Sequence, residues 1–411
     1  MFNLYFWIIL GTLMLSQILE LISVGLNLKN LSPELPEEFS GYYDETKYAK
    51  SQNYLKTTTK FAVIKSQFNF LVLLVFWFSG GFNLADNFAR SLELNSILTG
   101  LVFFGLLGTG SFLLNLPFSI YSTFVIEEKF GFNRTTPQTF ILDLFKHLFL
   151  SLVLGIPVLS ALFYFFGNAG ESGWLLAWAA IALFTVIIQA LAPALIMPLF
   201  YKFQPVQDGE LKDKINHFAD KIDFPLQGVY VIDGSRRSSK SNAFFTGFGK
   251  NKRIALFDTL IEEHTPEEII AVLAHEIGHY KKKHIIKSML ISLLHTGVMF
   301  YLLSLFLLNA ELFAAFGMEH LSVYASFIFF GMLYSPISLF LSIFEKYFSR
   351  KNEYQADNFA VENIPDGKNL ISGLKKLAVN NLSNLTPHPF HVFLNYSHPP
   401  LLKRIKAIKN H

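Results

Sequence analysis

The sequence predicts a mostly α-helical, polytopic membrane protein with a smaller, water-exposed α+β part. Hydrophobic residues make up 52% of the 411 residues and charged residues only 16%, whereas soluble domains carry about 25% charged residues. Seven segments are apolar over about 20 residues, the length that crosses a bilayer as a helix. Two polar stretches, 201–287 and 345–411, interrupt this apolar pattern.

The seven apolar segments are the predicted membrane helices. Lys65 and Asn69 interrupt the second of them. The first lacks the basic start of a signal peptide and is long for its apolar region, so it is interpreted as a retained membrane helix. The predicted spans are residues 4–26, 61–82, 97–118, 144–166, 174–199, 289–308 and 322–344.

The basic residues predict the orientation in the membrane. With seven spans, one side receives the N-terminus and three loops, and of the 34 lysines and arginines only Arg90 lies there. The positive-inside rule therefore places the N-terminus outside and the C-terminus in the cytoplasm. The predicted division is membrane helices 1–5 in residues 1–199, a cytoplasmic part in 200–288, membrane helices 6 and 7 in 289–344, and a C-terminal cytoplasmic part in 345–411.

Composition excludes several kinds of chemistry. The formal net charge of +3 gives no electrostatic reason to expect a nucleic-acid partner. The chain has no cysteine, which excludes disulfides, thiol catalysis and cysteine metal ligands. Any metal site must therefore use histidine, aspartate or glutamate.

The first polar stretch carries strand signals followed by a well-marked helix start. Thr265 is a good N-cap, Pro266 suits the first helical position, and Glu268 completes a capping box. The alternation of side chains before this helix predicts strands at 228–232, 242–247 and 252–257, with a turn at 249–251.

The predicted helix contains the pattern HExxH. His275 and His279 are one turn apart on one helical face, so both imidazoles can reach a single Zn²⁺ at about 2.0–2.1 Å. Glu276 cannot easily bind the same ion and can instead hold a water and take its proton. The alternative is a chance match, since HExxH occurs in unrelated helices; the capped helix and the strand before it favour the metal site.

A catalytic zinc needs a third protein ligand and one open position. Glu353 offers a carboxylate from a distant part of the chain. Asp357 lies one turn later on the same face and could accept a hydrogen bond from a ligating imidazole. The alternative is a pair of acids on a solvated helix face. His284 lies five residues past His279 and is interpreted as structural.

These segments resemble the integral-membrane zinc CAAX prenyl proteases. The resemblance covers most of the chain and is most specific from about residue 196 onward. It implies a barrel of seven long helices around a water-filled chamber, with a small zincin-like α+β catalytic domain at the cytoplasmic end. The matching motifs are residues 126–133 (IEEKFGFN), 203–205 (FQP), 209–212 (GELK), 234–247, 251–260, 353–360 (EYQADNFA) and 397–404 (SHPPLLKR).

The resemblance also implies roles for individual residues. It makes His275, His279 and Glu353 the ligands of one Zn²⁺, and Glu276 the general base. Asp357 corresponds to the acid that orients a ligand. His398 corresponds to the histidine that stabilises the oxyanion, with Arg404 assisting, and donors aimed at developing charge suit that task. Without the resemblance, His398 would be interpreted as a turn residue before two prolines.

Asn242, Ala243 and Phe244 resemble the edge strand with which zinc peptidases of this type pair their substrate. A peptide added as an extra strand gains main-chain hydrogen bonds whatever its side chains. The alternative is an ordinary strand of the sheet.

The predicted function is a zinc-dependent membrane endopeptidase that cleaves near the C-terminus of protein substrates, either prenylated C-a-a-X proteins or unmodified ones. Its other partner is the lipid bilayer, and its site faces the cytoplasm from a bacterial inner membrane or the endoplasmic reticulum. One alternative is a quality-control endopeptidase with the same chemistry. Another is a transporter or receptor in which zinc is structural, for which Glu276→Gln would leave activity intact.

Overall fold

The computed structural model describes residues 2–226, 228–246 and 253–411. Helices dominate this part of the chain, as the apolar segments predict. The α-helices are α1 Leu4–Lys29, α2 Glu45–Phe78, α3 Gly81–Ser91, α4 Ser96–Tyr121, α5 Pro137–Asn168, α6 Gly173–Leu191, α7 Met197–Phe200, α8 Glu210–Lys221, α9 Asp258–Glu263, α10 Pro266–Lys281, α11 His284–Phe306, α12 Ala310–Ala315, α13 Val323–Asn363, α14 Gly367–Asn380, α15 Pro389–Asn395 and α16 Leu401–Lys409.

Four strands form one small sheet: β1 Phe203–Pro205, β2 Gly228–Ile232, β3 Ala243–Thr246 and β4 Arg253–Phe257. Their order is β1-β2-β4-β3, with β2 and β4 parallel and the other pairs antiparallel. The strand predicted at 228–232 is present with the predicted bounds. Those predicted at 242–247 and 252–257 are present as β3 and β4, and their predicted end residues 247 and 252 lie outside the described residues. The turn predicted at 249–251 lies outside the described residues. Strand β3 lies at an edge of the sheet, where it pairs only with β4 among the described strands.

The predicted number of membrane helices is confirmed. Seven helices are long and apolar enough to cross a bilayer, and each contains one of the predicted spans or most of it. The second span was predicted at 61–82, but α2 ends at Phe78. The helix ends early because of Gly80, which adopts a φ of +76°, a left-handed conformation that glycine takes without strain. It turns the chain, and α3 starts at Gly81.

The seven spanning helices form a closed ring in the order α1, α2, α4, α5, α6, α11, α13 and back to α1. Polar side chains that interrupt the apolar pattern form hydrogen bonds between neighbouring helices of the ring, as is usual inside membranes. At most 17% of the most apolar window of each helix is buried within the protein, because one face of each helix is directed outward to lipid and the ring encloses an open chamber. The interhelical hydrogen bonds are Gln67 to Gln17, Asn69 to Asn115, Trp178 to the Leu293 carbonyl, and His295 with Tyr334.

An aromatic core closes the ring at one end. Trp77 stacks on Phe316 with ring centroids 4.8 Å apart, and Phe316 stacks on Phe329 at 4.0 Å. The short helices α3 and α12 contribute Phe82 and Phe313 to the same cluster. The chamber is therefore sealed by packed side chains at the end away from the sheet.

Helix α13 joins the membrane part to the catalytic part. It runs without a break for 41 residues, Val323–Asn363. The domain boundary predicted between residues 344 and 345 falls inside it. A single helix therefore carries both a membrane span and the buried acids Glu353 and Asp357, so the position of these acids is fixed by the ring.

A second connection lies between the ring and the sheet, just before the edge strand. Arg237 donates two hydrogen bonds to Asp143 at the start of α5, at 2.8 and 2.9 Å. The Arg134 N–H donates to the Arg237 carbonyl at 3.0 Å, and the Ser239 N–H donates to the Phe132 carbonyl at 3.1 Å. Strand β3 follows four residues after Ser239, so its position is tied to the loop between α4 and α5.

Candidate metal centre and active site

Helix α10 begins with the predicted capping box. The Glu268 N–H donates to Thr265 Oγ1 at 3.3 Å, and the Thr265 N–H donates to the Glu268 carboxylate at 2.9 Å. Burial by itself raises the pKa of Glu268, but hydrogen bonds from Lys376, Ser372 and the Thr265 N–H outweigh it and lower the pKa below its usual value. The start of the helix is therefore held by charged and neutral hydrogen bonds together.

The remainder of α10 is buried between the sheet, α14 and α13. Its apolar face contributes Ile269, Leu273 and Ile277 to the largest core of the catalytic part. His275 is buried with this face, and His279 is half-buried. The burial of ten residues in a 16-residue helix fixes the direction in which both imidazoles point.

Helices α10 and α13 approach each other unusually closely at Gly278. A Cβ atom there would lie 3.1 Å from both the Cα and the carbonyl oxygen of Ala356 and 3.2 Å from Phe359 Cβ, tighter than ordinary van der Waals contact. The absence of a side chain at this position brings the histidines of α10 within reach of the acids of α13. Sequence reasoning assigned no role to Gly278.

Three side chains converge as the HExxH pattern and the distant glutamate predicted. His275 Nε2 and His279 Nε2 are 3.1 Å apart. Glu353 places Oε1 3.3 Å from His279 Nε2 and Oε2 3.5 Å from His275 Nε2. Ligand atoms at about 2.0–2.1 Å from a tetrahedral zinc are separated by about 3.3–3.4 Å. The two imidazole nitrogens and the carboxylate therefore fit around an ion of that size.

The donor set itself also points to a cation. Glu353 is 4% exposed, and its Oε2 has no hydrogen-bond partner within the described residues. A buried carboxylate oxygen without a donor is costly. A metal ion at the convergence point would satisfy it together with the two imidazole lone pairs.

Asp357 orients the first histidine. The His275 Nδ1–H donates to Asp357 Oδ1 at 2.8 Å, which leaves the Nε2 lone pair facing the convergence point. Burial by itself lowers the pKa of His275, but hydrogen bonds with Asp357 and Glu353 outweigh it and raise the pKa to about 9 without the ion.

Arg404 lies beneath the site and holds Asp357. It donates two hydrogen bonds to the Asp357 carboxylate, at 2.8 and 2.6 Å, the planar bidentate arrangement that arginine favours. Its remaining Nη1 lies 3.5 Å from Glu353 Oε2. Arg404 was predicted to assist at the oxyanion; in the structure it is buried and largely committed to Asp357.

His398 lies on the open side of the site. Its Nε2 is 3.4 Å from Glu353 Oε1, and its side chain is 65% exposed. Ser397 Oγ and His398 Nδ1 are 3.0 Å apart, within hydrogen-bond distance, and Nε2 is the ring nitrogen that faces the site. Glu276 is half-buried on α10 next to His275.

The predicted substrate strand lies against the catalytic helix. β3 packs on α10, and Phe244 pairs with Ala255 of β4 along its inner edge. The Asn242 side chain is exposed, and its Oδ1 accepts the Ala243 N–H at 2.8 Å. The structure therefore gives this side chain a capping contact within its own strand, which sequence reasoning did not foresee.

Two residues near the second histidine were missed. His284, interpreted as structural, contacts His279 through the two Nδ1 atoms at 3.0 Å. Gln355, between Glu353 and Asp357, contacts His284 at 2.9 Å. The five-residue spacing from His279 to His284 suggested opposite faces of one helix, but α10 ends at Lys281 and the chain turns back. Only the EYQAD sequence around the third ligand offered a signal for Gln355.

A ring of seven membrane helices, capped by an HExxH helix whose histidines meet a glutamate from the seventh span, defines an integral-membrane metallopeptidase. Two family models divide the chain between them: the N-terminal domain of CAAX prenyl proteases, with five membrane helices, matches residues 26–202, and peptidase family M48 matches residues 205–411. The chain belongs to peptidase family M48.

Individual relatives agree over nearly the whole length. CAAX prenyl protease 1 of Saccharomyces cerevisiae is 37% identical over 91% of this chain and 88% of its own length. The CAAX prenyl protease 1 homolog of Arabidopsis thaliana is 37% identical over 92% of this chain and 90% of its own. The crystal structure of S. mikatae Ste24p superimposes with a TM-score of 0.94 at 33% identity, covering 99% of this chain and 100% of that one.

These comparisons confirm the resemblance seen in the sequence motifs. The chain is a multi-pass integral membrane protein and a metalloendopeptidase, with the predicted helical ring, chamber and small sheet domain. Membership of the family implies a metal ion, and His275, His279 and Glu353 form a group that can hold one.

Proposed function

We propose that this chain is a zinc-dependent endopeptidase that cleaves near the C-terminus of prenylated C-a-a-X proteins at the cytoplasmic face of its membrane. The observation that carries the chemistry is the convergence of His275, His279 and Glu353 at 3.1–3.5 Å. The substrate class rests on the relatives, which are named CAAX prenyl proteases. Either the endoplasmic reticulum or a bacterial inner membrane would present such a site to the cytoplasm.

One Zn²⁺ per chain would be held by the two imidazoles and the carboxylate. When bound, zinc supplies a Lewis acid that polarises the scissile carbonyl and makes water a nucleophile near neutral pH. The ligand set of two histidines and one glutamate leaves a fourth position open. Asp357 keeps His275 in the tautomer whose Nε2 can bind, and Arg404 fixes Asp357.

Glu276 moves the proton. Its carboxylate takes a proton from the attacking water and returns it to the leaving amine, as the glutamate of an HExxH helix can do without binding the metal. His398 presents Nε2–H from the open side and stabilises the oxyanion that develops on the scissile carbonyl. No covalent intermediate is required, in keeping with a chain without cysteine.

Strand β3 positions the substrate. Its outer edge, along Asn242, Ala243 and Phe244, offers main-chain groups to an extended peptide. The attachment of the preceding segment to α5 through Arg237 and Asp143 keeps this edge at the mouth of the chamber. A substrate tail then lies antiparallel to β3 with its scissile bond over the metal centre.

The distribution of basic residues supports the cytoplasmic position of the site. The sheet, α10, α14 and the helices after α13 all lie in the lysine- and arginine-rich parts of the sequence, while only Arg90 falls on the opposite side. The positive-inside rule places such segments in the cytoplasm.

Glu276→Gln tests the assignment. We expect the variant to bind zinc as the parent does and to lose peptide cleavage, because Glu276 is not a ligand. Glu267→Gln is the matched control on the same helix: Glu267 is exposed and pairs with Lys214 on the surface, so cleavage should be unchanged. Retained cleavage in Glu276→Gln would show that the zinc is structural.

A second comparison tests the substrate class. Purified protein is given a C-a-a-X peptide with a farnesyl group and the same peptide without one. We expect the farnesylated peptide to be cut with the higher kcat/KM. Equal rates would contradict the prenyl-protein assignment and leave a general endopeptidase that acts on unmodified chains.

A further inference from the structure

The junction between α10 and α11 folds a third histidine onto the metal centre. Helix α10 ends at Lys281, and Lys283 adopts φ +59°, a left-handed conformation that non-glycine residues rarely take. His284 then starts α11 with its ring 5.1 Å, centroid to centroid, from the ring of His279. His284 is 3% exposed, so this contact is made inside the protein.

A chain of hydrogen bonds runs from His279 through His284 to Gln355. The His284 Nε2–H donates to Gln355 Oε1 at 2.9 Å, because a side-chain carbonyl can only accept. His284 Nδ1 is then the unprotonated nitrogen, and it accepts the His279 Nδ1–H at 3.0 Å. The remaining nitrogen, His279 Nε2, therefore keeps its lone pair and faces Glu353 Oε1 at 3.3 Å.

Both ends of this chain belong to α13. Glu353 binds at the convergence point, and Gln355, two residues later, sets the direction of the bonds that fix His279. Asp357 performs the same task for His275 through a direct contact at 2.8 Å. The segment Glu353–Asp357 thus supplies one proposed metal ligand and the groups that orient the two histidine ligands. The partner of His275 is a charged carboxylate, whereas the partner of His279 is a neutral imidazole.

We propose that His284 and Gln355 are positioning residues that hold His279 in the tautomer and orientation needed to bind the metal. This inference rests on the proposed metal site. It assigns to His284 a task beyond packing, and to Gln355 the choice of which His284 nitrogen is protonated. Groups that orient a ligating histidine typically change metal affinity by about 10–100-fold when removed.

Gln355→Leu tests the proposal, because it removes the acceptor with little change in size. Zinc affinity is measured by competition with a chelator, and the visible spectrum of the Co²⁺-loaded protein reports the geometry at the ion. We expect about 10–100-fold weaker zinc binding and an altered cobalt spectrum. Gln355→Glu keeps an acceptor and should retain the affinity of the parent or exceed it.

Gln189→Leu is the matched control. Gln189 lines the same cavity of about 440 Å³ as His279 and His284, but it belongs to α6 and has no part in the hydrogen-bond chain. It should leave zinc affinity and the cobalt spectrum unchanged. Parent-like binding in Gln355→Leu, or equal weakening in Gln189→Leu, would overturn the proposal.

Two further variants separate this inference from the metal site on which it rests. His284→Phe keeps an aromatic ring without hydrogen bonds and should weaken zinc binding as Gln355→Leu does. His279→Ala should abolish zinc binding. If His279→Ala binds zinc normally, the metal-site assignment itself is wrong. If His279→Ala loses zinc while Gln355→Leu and His284→Phe bind it normally, only the positioning proposal fails. Thermal unfolding in excess chelator checks that each variant is folded.

Discussion

Replacing Gly278 with alanine would force apart the two helices that make the metal centre. The new Cβ would lie 3.1 Å from backbone atoms of Ala356 and 3.2 Å from Phe359 Cβ. Backbone atoms in the middle of a 41-residue helix cannot rotate away as a flexible side chain can. Helix α13 must therefore move back by a few tenths of an ångström, and Glu353 moves with it.

The change in the free energy of unfolding is expected to have opposite signs for two matched substitutions, Gly278→Ala and Gly373→Ala. Alanine is favoured over glycine within a helix by about 1 kcal/mol, whereas overpacking a filled contact costs about 1–3 kcal/mol. Gly278→Ala should therefore lower the free energy of unfolding by about 0–2 kcal/mol. Gly373→Ala, on α14 against the same helix α10, places its Cβ at an ordinary 3.5 Å from its neighbours and should raise stability by up to about 1 kcal/mol.

Zinc affinity should separate the two variants further. Metal sites tolerate errors of about 0.2 Å in ligand distance, less than the displacement that Gly278→Ala requires. We expect about tenfold weaker zinc binding, or about 1.4 kcal/mol, for Gly278→Ala and no change for Gly373→Ala. Chelator competition and unfolding in detergent measure the two quantities. If both variants behave alike in both assays, the close approach of α10 and α13 does not set the metal geometry.

Three other predictions follow from the same structure. Glu268 has a pKa lowered by its partners, so it stabilises the fold above its unfolded pKa of about 4.3, and that contribution is lost as pH falls through the folded pKa. Glu268→Gln should therefore lower stability at pH 7 and lower it progressively less as the pH falls below the unfolded pKa, and a constant loss across pH would contradict this. His398→Ala should keep its zinc and lose about 10²–10³-fold in kcat if His398 stabilises the oxyanion; loss of zinc instead would make it a structural residue. Arg237 and Asp143, measured in a double-mutant cycle of unfolding free energies, should show a coupling of about 1–3 kcal/mol, and a coupling near zero would show that the attachment beside β3 contributes no stability.

Much of the site could be predicted because its signals are local. The capping box at Thr265 depends on side chains three residues apart, and the histidines of HExxH are one helical turn apart. Helical geometry alone therefore places His275 and His279 together. The seven spans are equally local, since each depends only on the hydrophobicity of about 20 consecutive residues.

Other features are local in the chain but leave no signal in its hydropathy. The end of α2 at Phe78 rather than residue 82 follows from a left-handed glycine within an apolar run. The continuity of α13 across the membrane boundary joins a span to the third ligand, although the composition changes sharply along it. Hydropathy divides α13 into an apolar and a polar part because it reports whether a segment prefers lipid or water. The helix itself depends on backbone hydrogen bonds, which continue through both environments.

The sequence by itself determined the class of fold, the orientation expected in the membrane, and the three side chains that could hold a metal ion, because each follows from a periodicity, a charge bias or a motif. Only the tertiary structure decided how closely α10 approaches α13 at Gly278, how Arg404 is committed to Asp357, and which groups orient His279. These depend on contacts between residues 47 to 78 positions apart in the sequence, and on a reversal of the chain at Lys283. Packing in three dimensions, which no spacing along one helix can encode, sets them.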